Sequence, residues 1–229
     1  MAEYKTQVEQ YRLFEINLTG TTEGNPYQDV TLSVVVGGFY RGNGNYSVRF
    51  MASSAGRWAF TTRSTDPALD GQTGVFTVTP ATQDNHGRVL TATEALSGKA
   101  REAYGSELKY RFTYEDQPYG TTCYAWVSQP TDVQDRTVAT LAKAPFNKIR
   151  MCVFPKFYDF NTADPWAYAY PGTRETGFDH TCFDEEFFAN LDCRIAQLDE
   201  LGIEADIILL HPYDKPDWGF SKMTKVEDE

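Results

Sequence analysis

The apolar residues of this chain change period once, near residue 118, and that change constrains the fold more than any other feature. Before it they alternate. Phe14, Ile16 and Leu18 alternate with Glu15, Asn17 and Thr19, and Val30, Leu32 and Val34 with Thr31 and Ser33. Tyr46, Val48 and Phe50, then Trp58 and Phe60, then Phe76 and Val78 repeat the pattern. A period of two gives a strand one buried and one solvated face. The separators Gly24-Asn25-Pro26, Gly42-Asn43-Gly44-Asn45, Ala55-Gly56 and Asp70-Gly71 are turn formers. Five such strands without a helical period predict an antiparallel all-β sandwich over residues 1–90. Residues 91–117 read as a linker and hairpin, with Leu108, Tyr110, Phe112 and Tyr114 alternating before the turn Glu115-Asp116-Gln117-Pro118.

After residue 118 three short apolar runs do not alternate cleanly: Thr121 to Trp126, Ile149 to Phe154, and Ala205 to Leu210. Strands buried on both faces in a parallel sheet have this pattern. Helical spacing lies between them. Val133, Thr137, Leu141 and Ala144 precede Pro145, and Asp184 caps a run with Phe188, Leu191, Ile195 and Leu198 that stops at Gly202. Strand, helix, strand, helix, strand predicts right-handed βαβ units over 118–229. The stretch between Pro155 and Thr181, rich in Tyr, Trp, Pro and Gly, is long for a βα connection and marks a functional insertion or a disordered one.

Composition bounds the partners. Over 229 residues the net charge is -11, which argues against nucleic acid, since phosphate neutralisation needs a basic face. No apolar run is long enough to span a bilayer. The start Met1-Ala2-Glu3-Tyr4-Lys5 lacks a signal-peptide pattern, so a cytoplasmic location is expected. Cys123, Cys152, Cys182 and Cys193 show no metal-ligand spacing with the three His, and reduced thiols without a metal or cofactor are expected. Aromatic residues make up 14% of the chain. The expected partner is small and neutral.

In a parallel βα sheet the ligand meets the carboxyl ends of the strands. Those ends bring Tyr124 and Trp126, then Arg150 and Lys156, then His211, Tyr213 and Asp214, with Trp218 close behind. Aromatic faces beside a few fixed polar groups suit a sugar ring, which has apolar C–H faces and a rim of hydroxyls. Each residue also has a plainer reading. Arg150 within an apolar run fits either a site role or a structural ion pair. His211 fits a core histidine, Asp214 a helix cap, and Lys156 a solvated surface charge.

The segments Tyr124 to Trp126, Pro145-Phe146-Asn147-Lys148-Ile149-Arg150, His211-Pro212-Tyr213-Asp214 and Trp218-Gly219-Phe220-Ser221 resemble bacterial glycoside hydrolases. In these an immunoglobulin-like sandwich of unassigned function precedes an apiosidase-like, cellulase-like (β/α)8 barrel. Val8-Glu9-Gln10-Tyr11, Gly38-Phe39-Tyr40 to Phe50, and Asn85-His86-Gly87 carry the likeness in the sandwich. Phe146 to Arg150 and Leu210-His211 are also similar to the second- and third-strand ends of family 5 glycoside hydrolases. The resemblance implies that Arg150 supports the catalytic nucleophile and that His211 lines a sugar subsite.

A complete barrel takes roughly 250 residues, and the sequence after Pro118 suffices for about three βα units. In the resembled clan the acid/base Glu follows an Asn at the end of strand four, and the nucleophile Glu ends strand seven. Neither has a counterpart here. The expected fold is therefore multidomain, an all-β immunoglobulin-like sandwich followed by the first part of a TIM-type (β/α)8 barrel. The expected function is retaining hydrolysis of a poly- or oligosaccharide, with no catalytic residue in this chain and no activity by the chain alone. The alternative is a non-catalytic carbohydrate-binding protein.

Overall fold

The period change at residue 118 coincides with a division of the structure. In this computed structural model the chain forms two compact units, Met1–Gln117 and Pro118–Glu229. The structure describes residues 1–83, 85, 87–88, 90–91, 112–113, 120–155, 164–210 and 217–220.

The first unit is built from two facing sheets. Strands β1 (Glu3–Tyr4), β3 (Leu13–Thr19), β5 (Gly38–Tyr40) and β6 (Asn45–Met51) form one, in the order β1-β3-β6-β5. Strands β2 (Gln7–Glu9), β7 (Gly56–Thr61) and β9 (Thr73–Thr79) form the other, in the order β2-β9-β7. The β2–β9 pair is parallel and the remaining pairs are antiparallel. Pairing of Phe14 with Phe50 and Ile16 with Val48 puts the alternating apolar residues on one face. There Phe14 stacks on Phe76 of the opposite sheet, with centroids 3.8 Å apart. Ile16, Val48, Leu69 and Val78 complete the seal of this core.

The unit has smaller parts as well. Strands β4 (Leu32–Ser33) and β8 (Arg63–Ser64) form a two-residue ladder, and β10 (Leu90–Thr91) pairs with β11 (Phe112–Thr113). The run Val30 to Val34 is mostly not strand, contrary to its alternation. Asn25 caps a single helical turn, α1 (Pro26–Asp29), by accepting from the Tyr27 amide, and Pro26 fits the first helical position. Strand β4 stops at Ser33 because the chain turns there: the Val34 amide donates to the Val36 carbonyl at 3.0 Å and Ser33 bridges to Gly37.

In the second unit β12 (Gly120–Thr122), β13 (Lys148–Cys152) and β16 (Glu204–Ile208) lie parallel in that order. A 3₁₀ turn at Trp126–Ser128 leads into α2 (Thr131–Leu141), and α3 (Glu185–Glu200) leads into β16. Strands β14 (Gly172–Thr173) and β15 (Gly177–Phe178) form a small hairpin between β13 and α3. Asp184 caps α3 by accepting from the Phe187 amide at 2.8 Å, and Gly202, at φ 69°, ends it in the left-handed region where glycine carries no Cβ penalty. Leu141, Phe187, Leu191 and Leu198 pack with Ile149 and Met151 against one sheet face. Among the described residues the sheet does not close into a barrel; β12 and β16 are its edges.

Candidate functional site

The opposite face of the parallel sheet is charged. Ile149 and Met151 turn toward the helices, so Lys148 and Arg150 turn away from them. The register sets Lys148 beside Glu204 and Arg150 beside Asp206. Two cations therefore face two carboxylates across one strand pair. Arg150 donates from Nε and Nη2 to Asp206 Oδ2, at 2.9 and 2.8 Å. Lys148 Nζ lies 3.4 Å from that same oxygen and 3.6 Å from Glu204 Oε1. Arg150 keeps 49% of its side chain exposed, whereas Asp206 keeps 21%. The anchor is covered and the guanidinium is open.

The electrostatics follow from this ladder. Asp206, by hydrogen bond and charge, holds Arg150 protonated above its usual range, and the Tyr124 phenol adds to the effect. Burial pushes the Glu204 carboxyl up, and the neighbouring Asp206 charge pushes it further. Glu204 Oε2 is buried with no hydrogen-bond partner among the described residues. A carboxyl whose pKa is raised in the folded state favours folding below its unfolded pKa, and loses that contribution as pH rises through the folded value. Glu204→Gln is thus expected to melt higher than the parent at pH 7–8, the gap closing by about pH 4, where the unfolded carboxyl is protonated. Thermal melts across that range check this. A variant that melts lower at pH 7 would show that the Lys148 contact outweighs burial.

The tryptophans expected at this site lie elsewhere. Strand β12 ends at Thr122, short of the expected run to Trp126. Trp126 is wholly buried in the core on the helix side of the sheet, and its indole N–H donates to the Gln134 carbonyl at 3.2 Å. It offers no ring face to a sugar and does not converge with Arg150. Trp218 is also buried. It packs against Phe154 and Phe178, with the Arg174 guanidinium 5.3 Å from its centroid. Tyr124 is 39% exposed, and its carbonyl accepts from the Cys152 amide at the end of β13. Lys156, His211, Tyr213 and Asp214 lie outside the described residues.

The described part of the insertion after β13 is ordered by its aromatic residues. Trp166 donates from its indole to the Val127 carbonyl at 2.8 Å, tying it to the 3₁₀ turn. Tyr170 stacks on Phe154 and Phe183, and the His180 ring bonds to the Trp218 carbonyl through Nε2 at 3.1 Å. The cysteines are free thiols. Among the described residues no cluster of three or more His, Cys, Asp or Glu could hold a metal ion, and no helix is long and apolar enough to cross a membrane.

Sequence reasoning missed Lys148, Glu204 and Asp206. Their signal was present: a cation, an apolar residue and a cation on one strand, and acid, apolar, acid on the next.

Comparison with known proteins agrees with this architecture. Residues 7–65 match DUF5060, a domain of unknown function. A crystal structure of a protein from Bacteroides vulgatus ATCC 8482, whose assignment as a glycoside hydrolase is itself provisional, is similar with a TM-score of 0.81 and 38% sequence identity. That likeness covers 98% of this chain and 45% of the other, so this chain spans just under half of its relative. A Bacteroides ovatus GH5 xyloglucanase, solved with a XXXG heptasaccharide, aligns over 91% of this chain and 45% of its own. At 9% identity and a TM-score of 0.25 it carries no argument. No curated protein matches the chain.

Proposed function

We propose that the chain is the front part of a retaining glycoside hydrolase, a sandwich followed by the first three βα units of a (β/α)8 barrel, acting on a poly- or oligosaccharide. The observation that carries this reading is the similarity to the B. vulgatus protein along 98% of this chain. Three parallel strands with helices on one face and a charged ladder on the other suit such a barrel, whose inner face carries the chemistry.

Retaining hydrolysis needs an acid/base and a nucleophile, two carboxyl groups roughly 5–5.5 Å apart. Glu204 and Asp206 are not assigned these roles: both project from one strand, two residues apart, and share the Lys148 ammonium in the ladder. The pair is assigned to the part of the barrel beyond these three units. The role of Arg150 is electrostatic: an open guanidinium beside a carboxylate nucleophile keeps it ionised and oriented. Tyr124 contributes an exposed phenol on the approach to the site. Lys156, His211, Tyr213 and Asp214, outside the described residues, are proposed sugar contacts. Trp126 and Trp218 have no place in this set, being core residues.

The reading frame past Glu229 tests this proposal. A fourth apolar strand ending in Asn-Glu supports the enzyme; a stop codon at that point, with sugar affinity retained, indicates a binding protein instead. The 229-residue chain alone is expected to hydrolyse no aryl glycoside. Turnover lost on Asp214→Asn would overturn the assignment of the acid to the missing part.

A further inference from the structure

We propose that Asp206 is a positioning residue, which fixes the Arg150 guanidinium so that its Nη1 edge is presented to a carboxylate. This rests on the reading of Arg150 as the support of an ionised nucleophile. The geometry is specific. A guanidinium carries five N–H donors in a rigid planar fork. Asp206 Oδ2 accepts from Nε at 2.9 Å and from Nη2 at 2.8 Å, which ties down one edge of that plane. The edge carrying Nη1 is then directed away from the carboxylate. A single contact would leave the group free to swivel; two contacts to one oxygen do not.

Asp206 is itself held. It stands opposite Arg150 in a parallel strand pair, so the backbone sets the spacing. Lys148 Nζ, 3.4 Å from the same oxygen, supplies a second cation from two residue pairs lower in the ladder, the next pair on this face. Surface ion pairs between mobile side chains contribute little. This one differs in that its acid is four-fifths covered while its base stays open. That asymmetry suits an arrangement in which one partner is fixed and the other is offered to a third group.

The test uses the 229-residue chain, with acetate as the carboxylate probe and the Arg150 Nε–Hε resonance as the readout. In the parent protein this cross-peak is expected to be resolved, slow to exchange with water, and shifted saturably by acetate. Asp206→Asn preserves shape and removes the charge. It should return the peak to the averaged arginine envelope and weaken the acetate response at least tenfold, with the thermal melt recording that the chain still folds. Asp206→Glu should restore part of both effects. Identical Arg150 peaks in the parent and in Asp206→Asn would overturn the proposal. So would an anchored peak that acetate leaves unmoved, since Asp206 would then be a structural partner only. Neither outcome depends on whether a longer polypeptide cleaves sugars, so failure of the hydrolase reading is recorded separately.

Discussion

Gln134→Ala is expected to destabilise the second unit by about 2–4 kcal/mol, as for leaving several buried polar groups without partners. Gln134 is completely buried at the start of α2 and joins three elements. Its Oε1 accepts from Arg194 Nε at 2.8 Å and Asn190 Nδ2 at 3.0 Å, both on α3. Its Nε2 donates to the carbonyls of Gln129 at 2.7 Å and Val127 at 3.3 Å, closing the 3₁₀ turn. Arg194 is buried too, with Nη1 held by Asp135 and Gln197. Truncation leaves a buried guanidinium and the Asn190 amide each short of an acceptor and the Gln129 carbonyl without its side-chain donor, while Val127 keeps the Trp166 indole, and such unpaired groups carry their full desolvation cost. Urea unfolding of the parent and the variant measures the difference; a loss below about 1 kcal/mol would show that water repairs the network.

Trp126→Ala is expected to cost a further large amount, about 3–5 kcal/mol, as for other buried tryptophans reduced to alanine. The ring fills the space between the 3₁₀ turn and the helices, and its N–H loses the Gln134 carbonyl. Because both side chains brace the same 3₁₀ turn against the start of α2, their costs should not add, and the double variant should lose less than the sum. The contrast with a sugar-platform role is direct. The variant should lose stability at unchanged intrinsic affinity for oligosaccharide, read under conditions where it remains folded. Weakened binding without destabilisation would return Trp126 to the site.

These two residues show how far the sequence could be read. The helices around them were legible because Asp184, Gly202 and the three-four spacing of Phe188, Leu191, Ile195 and Leu198 are local signals. The alternation of Phe14, Ile16 and Leu18 was equally local, and these residues do face the sandwich core. Trp126 was misplaced because the apolar run continues four residues past the end of β12 at Thr122, into a turn that buries it on the other side of the sheet. A short apolar run does not reveal where the strand stops. Asp206 was missed for the opposite reason. Within the run Ala205 to Leu210 it looks like an interruption, and only the register with β13 supplies its partner. Val30 to Val34 alternated without forming a full strand, because the chain turns at Val34 and Ser33 bridges back to Gly37.

If the open Arg150 face belongs to the active site of a glycoside hydrolase, as proposed above, hydrolysis by the polypeptide that its whole reading frame encodes should depend on Arg150. Hydrolysis of plant and bacterial polysaccharides by that polypeptide would be measured with and without Arg150→Ala. The parent is expected to turn over, with kcat lowered about 10²–10³-fold in the variant, the range for removing one preorganised electrostatic group, and KM changed only a few-fold. Equal kcat in the two proteins, or no hydrolysis by that polypeptide, would remove Arg150 from an active site.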